Sequence, residues 1–224
     1  MKLFWREIVA CLSKEWLLEW RNRFALNGLL LYLVCIIFVC YLSFRLKNQM
    51  LTPSTWNALF WIAILFALVN NSIKSFNIES DKRWYFYYFL FRPESIIIAK
   101  MLYNGFFSVV IGLVTWFLYG IVMQNPVQDT FLFLVNLVSG CMGIAIGFTM
   151  VSAIAHKAQN SATLTAVLGF PLILPVLLLT IKISKHAIEG LERSLVYQQL
   201  ITIWAIILIS IATSLLLFPF SWKE

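Results

Sequence analysis

Six windows free of Asp, Glu, Lys and Arg divide the chain, at Phe24–Phe44, Asn48–Ile73, Met101–Gln128, Thr130–His156, Ala158–Ile181 and Ser194–Trp222. Each holds the ~20 residues that a helix needs to cross a bilayer core. In lipid a helix satisfies its own backbone groups, whereas an isolated strand leaves them unpaired. The windows therefore predict an all-α integral membrane protein, one domain over residues 1–224. Its six transmembrane helices are expected at about 25–44, 55–73, 96–123, 130–155, 162–181 and 200–220. Composition agrees, with 61% hydrophobic and 12% charged residues and a mean hydropathy of +0.85, far from the ~25% charged fraction of soluble domains.

The first window follows a charged segment, a pattern unlike that of a cleaved signal peptide, so the N-terminal segment is expected to stay attached. Six spans put both termini on one side. Twelve Lys and Arg residues fall on that side, chiefly in residues 1–26 and 74–100, and five fall on the other: Arg45, Lys47, Lys182, Lys185 and Arg193. The positive-inside rule then makes the termini and the segment at 77–95 cytoplasmic, which in a bacterium means the inner membrane. The net charge of +7 reads as topology and contact with anionic lipid, with no nucleic-acid partner implied.

Cys11, Cys35, Cys40 and Cys141 form no CxxC pair and read as small hydrophobes. His156 and His186 belong to no cluster with metal-ligand spacing. No catalytic residue, metal ligand or bound cofactor is expected in this chain. No carboxylate lies inside a span, which removes the usual proton or ion relay of a secondary transporter. A Gly-rich phosphate loop is also absent, so the chain is not expected to hydrolyse nucleotide.

Three local patterns carry more. In residues 1–24 the apolar residues Trp5, Ile8, Val9, Leu12, Trp16, Trp20 and Phe24 recur at helical spacing among Arg6, Glu7, Ser13, Lys14, Glu15 and Arg23. This predicts an amphipathic helix in the membrane surface, either a simple anchor or an elbow that a partner touches. In SGCMGIAIG, Ser139, Gly143 and Gly147 repeat every four residues and give one bare helix face for close packing, within the chain or in a dimer. In GFPLILPVLLL, Pro171 and Pro175 each remove a backbone bond and are expected to kink or interrupt the fifth span.

The segment NIESDKRWYFYYFLFRPESIIIAK, Asn77 to Lys100, gathers charge and aromatics between two apolar windows. Asn77, Ser80 and Asp81 suit a helix start. Pro93 forbids smooth continuation and biases Arg92 away from helix. A short helix from about Asp81 to Phe91 would present WYFYYFLF. Such a surface suits a protein contact, with flanking arginines, or burial among lipid headgroups.

The order of these features resembles the CcmB family, the heme exporter B permeases of bacterial cytochrome c maturation. The resemblance rests on six spans, an amphipathic start running into ALNGLLLYL (Ala25–Leu33), an acid-bearing segment ending in a proline and IIIAK (Ile96–Lys100), and VLGFPLILPVLL (Val167–Leu178). It departs where Lys82, Arg83, Trp84 and Tyr85 replace a Gly-x-Leu-Glu pattern. It implies an ABC-2-like permease acting as a pair with two CcmA-like ATPase subunits and with CcmC-like, CcmD-like and CcmE-like heme-handling proteins. Heme would be the substrate handled and ATP would act through the partner. The Trp-rich heme loop of CcmC has no counterpart, so no heme ligand is assigned here.

On this reading Glu79, Asp81, Arg83, Trp84, Tyr87, Tyr88, Phe91 and Arg92 form a coupling helix that docks on the ATPase. The alternatives are an ABC-2 permease for a lipid, polysaccharide or drug, and a non-transporting membrane scaffold.

Overall fold

The structure is a computed structural model that describes residues 2–21, 23–45, 52–77, 91–155 and 161–223. Among these residues the order is α1 (Lys2–Arg21), α2 (Arg23–Arg45), α3 (Pro53–Asn77), α4 (Pro93–Met123), α5 (Thr130–Ala155) and α6 (Ser161–Glu189). A 3₁₀ turn (Arg193–Val196) then leads into α7 (Tyr197–Lys223). Six helices, α2 to α7, are long and apolar enough to cross a membrane. Helices α3 and α4 both open on a proline, whose fixed φ suits the first turn and whose missing N–H would be unpaired there anyway.

Helix α5 is the centre of the bundle, packed on α3, α4, α6 and α7. Its sequence explains why it can be surrounded. Ser139, Gly140, Gly143, Ala145 and Gly147 are all buried and small, so neighbouring backbones approach closely. A Cβ added at Gly140 would lie 2.5 Å from Thr180 Cγ2 and 2.7 Å from Trp61 Cη2. Helix α2 is peripheral. It buries Leu33 and Ile37 and leaves Leu30, Leu31, Val34, Phe38 and Val39 exposed, as befits a helix whose outer face meets lipid.

Helix α6 runs as one continuous helix through Pro171 and Pro175, both of them exposed. It also continues to Glu189, past Lys182 and Lys185. Those lysines are exposed, while Ile183, Ser184, Ala187 and Ile188 around them are buried at helical spacing.

The bundle end away from α1 is closed by aromatics. Trp56 stacks on Phe60 at 5.3 Å and meets Tyr119 edge-on at 5.0 Å, while Phe60 lies 5.5 Å from Phe133. The Trp56 indole N–H donates to Gln124 O at 2.9 Å, anchoring the one described non-glycine residue with positive φ, at 58°. Nearby, Asp129 caps α5 by accepting from Leu132 N at 3.1 Å. It also receives two hydrogen bonds from Arg193, 2.6 Å from Nε and 3.0 Å from Nη2. These bonds hold the Asp129 carboxyl below its usual range.

Candidate coupling site at the head of helix α4

Helix α4 begins where the aromatic segment ends. Arg92 is extended at φ −74°, ψ 141°, the conformation that a following proline favours. Its carbonyl accepts from Ser95 N at 3.0 Å and Ile96 N at 3.3 Å. Pro93 occupies the first turn, so Lys100 stands two turns inside the helix.

Helix α1 lies against this head. Ile8 and Cys11 pack with Ile96 and Ala99, joined by Phe4, Leu12, Phe91 and Ile98. Polar contacts accompany the apolar ones. Ser95 donates its hydroxyl to Glu7 Oε2 at 3.0 Å. Lys100 Nζ lies 3.1 Å from Glu15 Oε1, with the two side chains 1% and 9% exposed. Lys14 Nζ reaches the same oxygen at 3.1 Å. Burial pushes the Glu15 carboxyl up, but the charges of Lys100 and Lys14 and their hydrogen bonds outweigh it, and its pKa falls below the ordinary value. Removing one partner of such a buried pair strands a charge, at a cost of ~3–5 kcal/mol.

Within the expected amphipathic stretch, Lys2–Arg21 is helical, and its charge is sorted in a way the sequence did not reveal. Glu7 and Glu15 turn to α4, while Arg6 and Arg21 are exposed. Trp5 (61% exposed), Val9, Trp16 and Trp20 (63%) form an open stripe. Trp16 keeps an edge contact with Tyr103 at 6.5 Å and a tilted one with Phe106 at 6.2 Å.

From the head, α4 carries a buried polar row inward: Ser95, Lys100, Asn104, Ser108 and Thr115. Asn104 Nδ2 donates to Thr149 Oγ1 at 2.9 Å. Ser108 Oγ lies 2.7 Å from Gly105 O and 3.1 Å from Cys141 O. At Gly112 a Cβ would meet Cys141 Sγ at 2.6 Å. The seam between α4 and the central helix is thus hydrogen-bonded and closely fitted.

Of the expected docking residues, Glu79, Asp81, Arg83, Trp84, Tyr87 and Tyr88 lie outside the described residues, as does His156. Phe91 is half-buried in a bend against the α1 cluster, and Arg92 is exposed. Ser139 donates to Val135 O of its own helix at 2.8 Å. A Cβ at Gly143 would meet Val176 Cγ1 at 3.0 Å and Ile207 Cγ1 at 3.6 Å, and one at Gly147 would meet Leu172 Cδ2 at 2.8 Å. The small-residue face is therefore filled by α6 and α7 of the same chain.

Glu7, Glu15, Ser95 and Lys100 were missed from sequence. The available signal was Pro93, which marks a helix start and so places Lys100 inside α4 and not in the preceding segment. Among the described residues no group of His, Cys, Asp and Glu could hold a metal ion.

These features define an all-α, six-span integral membrane protein with an amphipathic first helix and a charged junction between that helix and α4. The chain belongs to the CcmB family, whose model, described as CcmB protein, matches residues 6–223. The family consists of membrane permease subunits of the ABC type that serve heme export and cytochrome c maturation. No curated protein and no solved structure matches the chain.

Proposed function

We propose that this chain is the permease subunit of an ATP-driven complex that moves heme, or releases a heme-loaded CcmE-like chaperone, at the outer face of the bacterial inner membrane. A CcmA-like subunit supplies ATP hydrolysis and docks on the cytoplasmic segment at 77–95, with both termini on the same side. CcmC-like and CcmD-like proteins hand over heme, and two copies of this chain act together. The observation that carries the reading is the row of buried polar residues along α4 from Ser95 to Thr115, of which Asn104 and Ser108 are bonded to α5. It begins at the last residue of the segment and ends in the core, as a transmitting element requires.

Affinity purification of the tagged chain from membranes tests this. An ATP-hydrolysing subunit and heme-handling proteins should come with it, and hydrolysis should depend on the chain. Purification of the chain without an ATPase would count against the docking assignment, and hydrolysis independent of the chain would favour a scaffold.

A further inference from the structure

We propose that α1 is the positioning helix of the coupling segment, locked to the head of α4 by the Glu15–Lys100 pair, so that α1 and the first two turns of α4 move as one body. The proposal rests on the docking reading above.

Four observations place the lock there. The Lys100 ammonium is held 3.1 Å from Glu15 Oε1 with 1% of its side chain exposed. A buried lysine without a counter-charge is strongly disfavoured, so Glu15 fixes the depth and rotation of α1 on α4. Lys14 shares the same oxygen, which orients the carboxylate from a second direction. One and a half turns nearer the segment, Ser95 and Glu7 form a second tie, and two ties at different heights prevent rotation about either. Finally, Phe91, the last aromatic of the segment, packs into the cluster of Ile8, Cys11, Ile96 and Ala99. The segment therefore ends on α1 and α4 together. Helix α1 in turn carries Trp5, Trp16 and Trp20 on its open side, where indoles settle at the membrane interface. A helix held at that depth resists vertical displacement, so motion imposed on the segment becomes tilt of α4, which the polar seam delivers to α5.

The test uses the full chain in cells lacking their own copy, with three variants: Glu15→Gln, Lys100→Met, and the exchange Glu15→Lys with Lys100→Glu. The exchange keeps one anion between two cations, because Lys14 stays in place. Each is measured for membrane level, co-purified ATPase and c-type cytochromes. The single variants should keep the ATPase bound and lose cytochromes, a split that general misfolding does not produce, and the exchange should recover them. Wild-type cytochrome levels in both single variants, or an exchange no better than they are, would overturn the proposal. Should the single variants not accumulate, Ala99→Cys offers a second arm, since Ala99 lies in the same buried α1–α4 cluster as the native Cys11. Oxidised membranes should then show α1 cross-linked to α4 within the chain, with ATP hydrolysis by the complex retained. A cross-linked chain that binds the ATPase but no longer supports hydrolysis would show that α1 and α4 must part. Absence of the ATPase from the unmodified chain is a different result, and it fails the docking reading alone.

Discussion

Trp61 of α3 donates its indole N–H to Ser184 Oγ of α6 at 2.8 Å in the interior of the bundle. Asn136 of α5 reaches the same oxygen at 2.7 Å and Thr180 O at 2.9 Å. One hydroxyl thus joins three helices. Ser184→Ala strands two buried donors, and interhelical hydrogen bonds in membranes are worth ~0.6–2 kcal/mol each. The expected result is a loss of about 1–3 kcal/mol in unfolding of the detergent-solubilised protein, with Ser184→Thr closer to wild type.

The close fit of α5 gives a second prediction. A Cβ at Gly140 would overlap both Thr180 and Trp61, whereas one at Gly143 meets Val176 at a tolerable 3.0 Å. Gly140→Ala should therefore destabilise more than Gly143→Ala, with overpacking costing ~1–3 kcal/mol. Gly143→Leu should lower the folded fraction without first releasing monomers from a dimer, because its neighbours belong to the same chain. Size-exclusion chromatography together with thermal unfolding reads both. A folded monomer would place the face at a subunit interface.

The Asp129–Arg193 tie predicts a pH signature. The folded carboxyl has its pKa lowered, chiefly by the hydrogen bonds from Arg193. Its contribution is therefore complete above the ordinary carboxylate pKa of ~4 and is lost as pH falls through the folded value. Asp129→Asn should lower Tm slightly at pH 7, since exposed pairs are weak, and the gap between the two proteins should narrow progressively as pH falls below the ordinary carboxylate value. A difference unchanged by pH would assign the effect to the cap on Leu132 N alone.

Orientation is open to labelling. In a background without native thiols, Asn125→Cys, an exposed position between α4 and α5, should react with an impermeant reagent outside intact cells. Ser80→Cys should not. Reversed labelling would overturn the cytoplasmic assignment of the segment.

The spans were legible because charge is excluded from them almost completely, and a 20-residue apolar window is a strong signal. The end of α6 was not, since Lys182 and Lys185 close the window while Ile183 and Ala187 continue the buried stripe. The small residues of α5 were visible as a bare face, but which helix fills it depends on topology that periodicity does not encode. Glu15 and Lys100 were hidden for another reason. Each taken alone looks like a surface charge of its segment, and only the packing of α1 on α4 brings residues so far apart in sequence to 3.1 Å.

The central claim, that the segment before α4 receives an ATPase, is tested most directly with Trp84→Ala and Tyr88→Ala combined. These residues stand four apart in the sequence, the spacing of one turn in the helix expected there, and leave untouched Phe91, which packs against α1. Truncating two aromatic anchors at an interface costs about 2 kcal/mol or more each, enough to weaken binding well over tenfold. The double variant should reach the membrane at normal levels, release the ATPase on purification and leave cells without mature c-type cytochromes. Full ATPase recovery with normal cytochromes would contradict the account and leave the aromatics as anchors in the membrane surface.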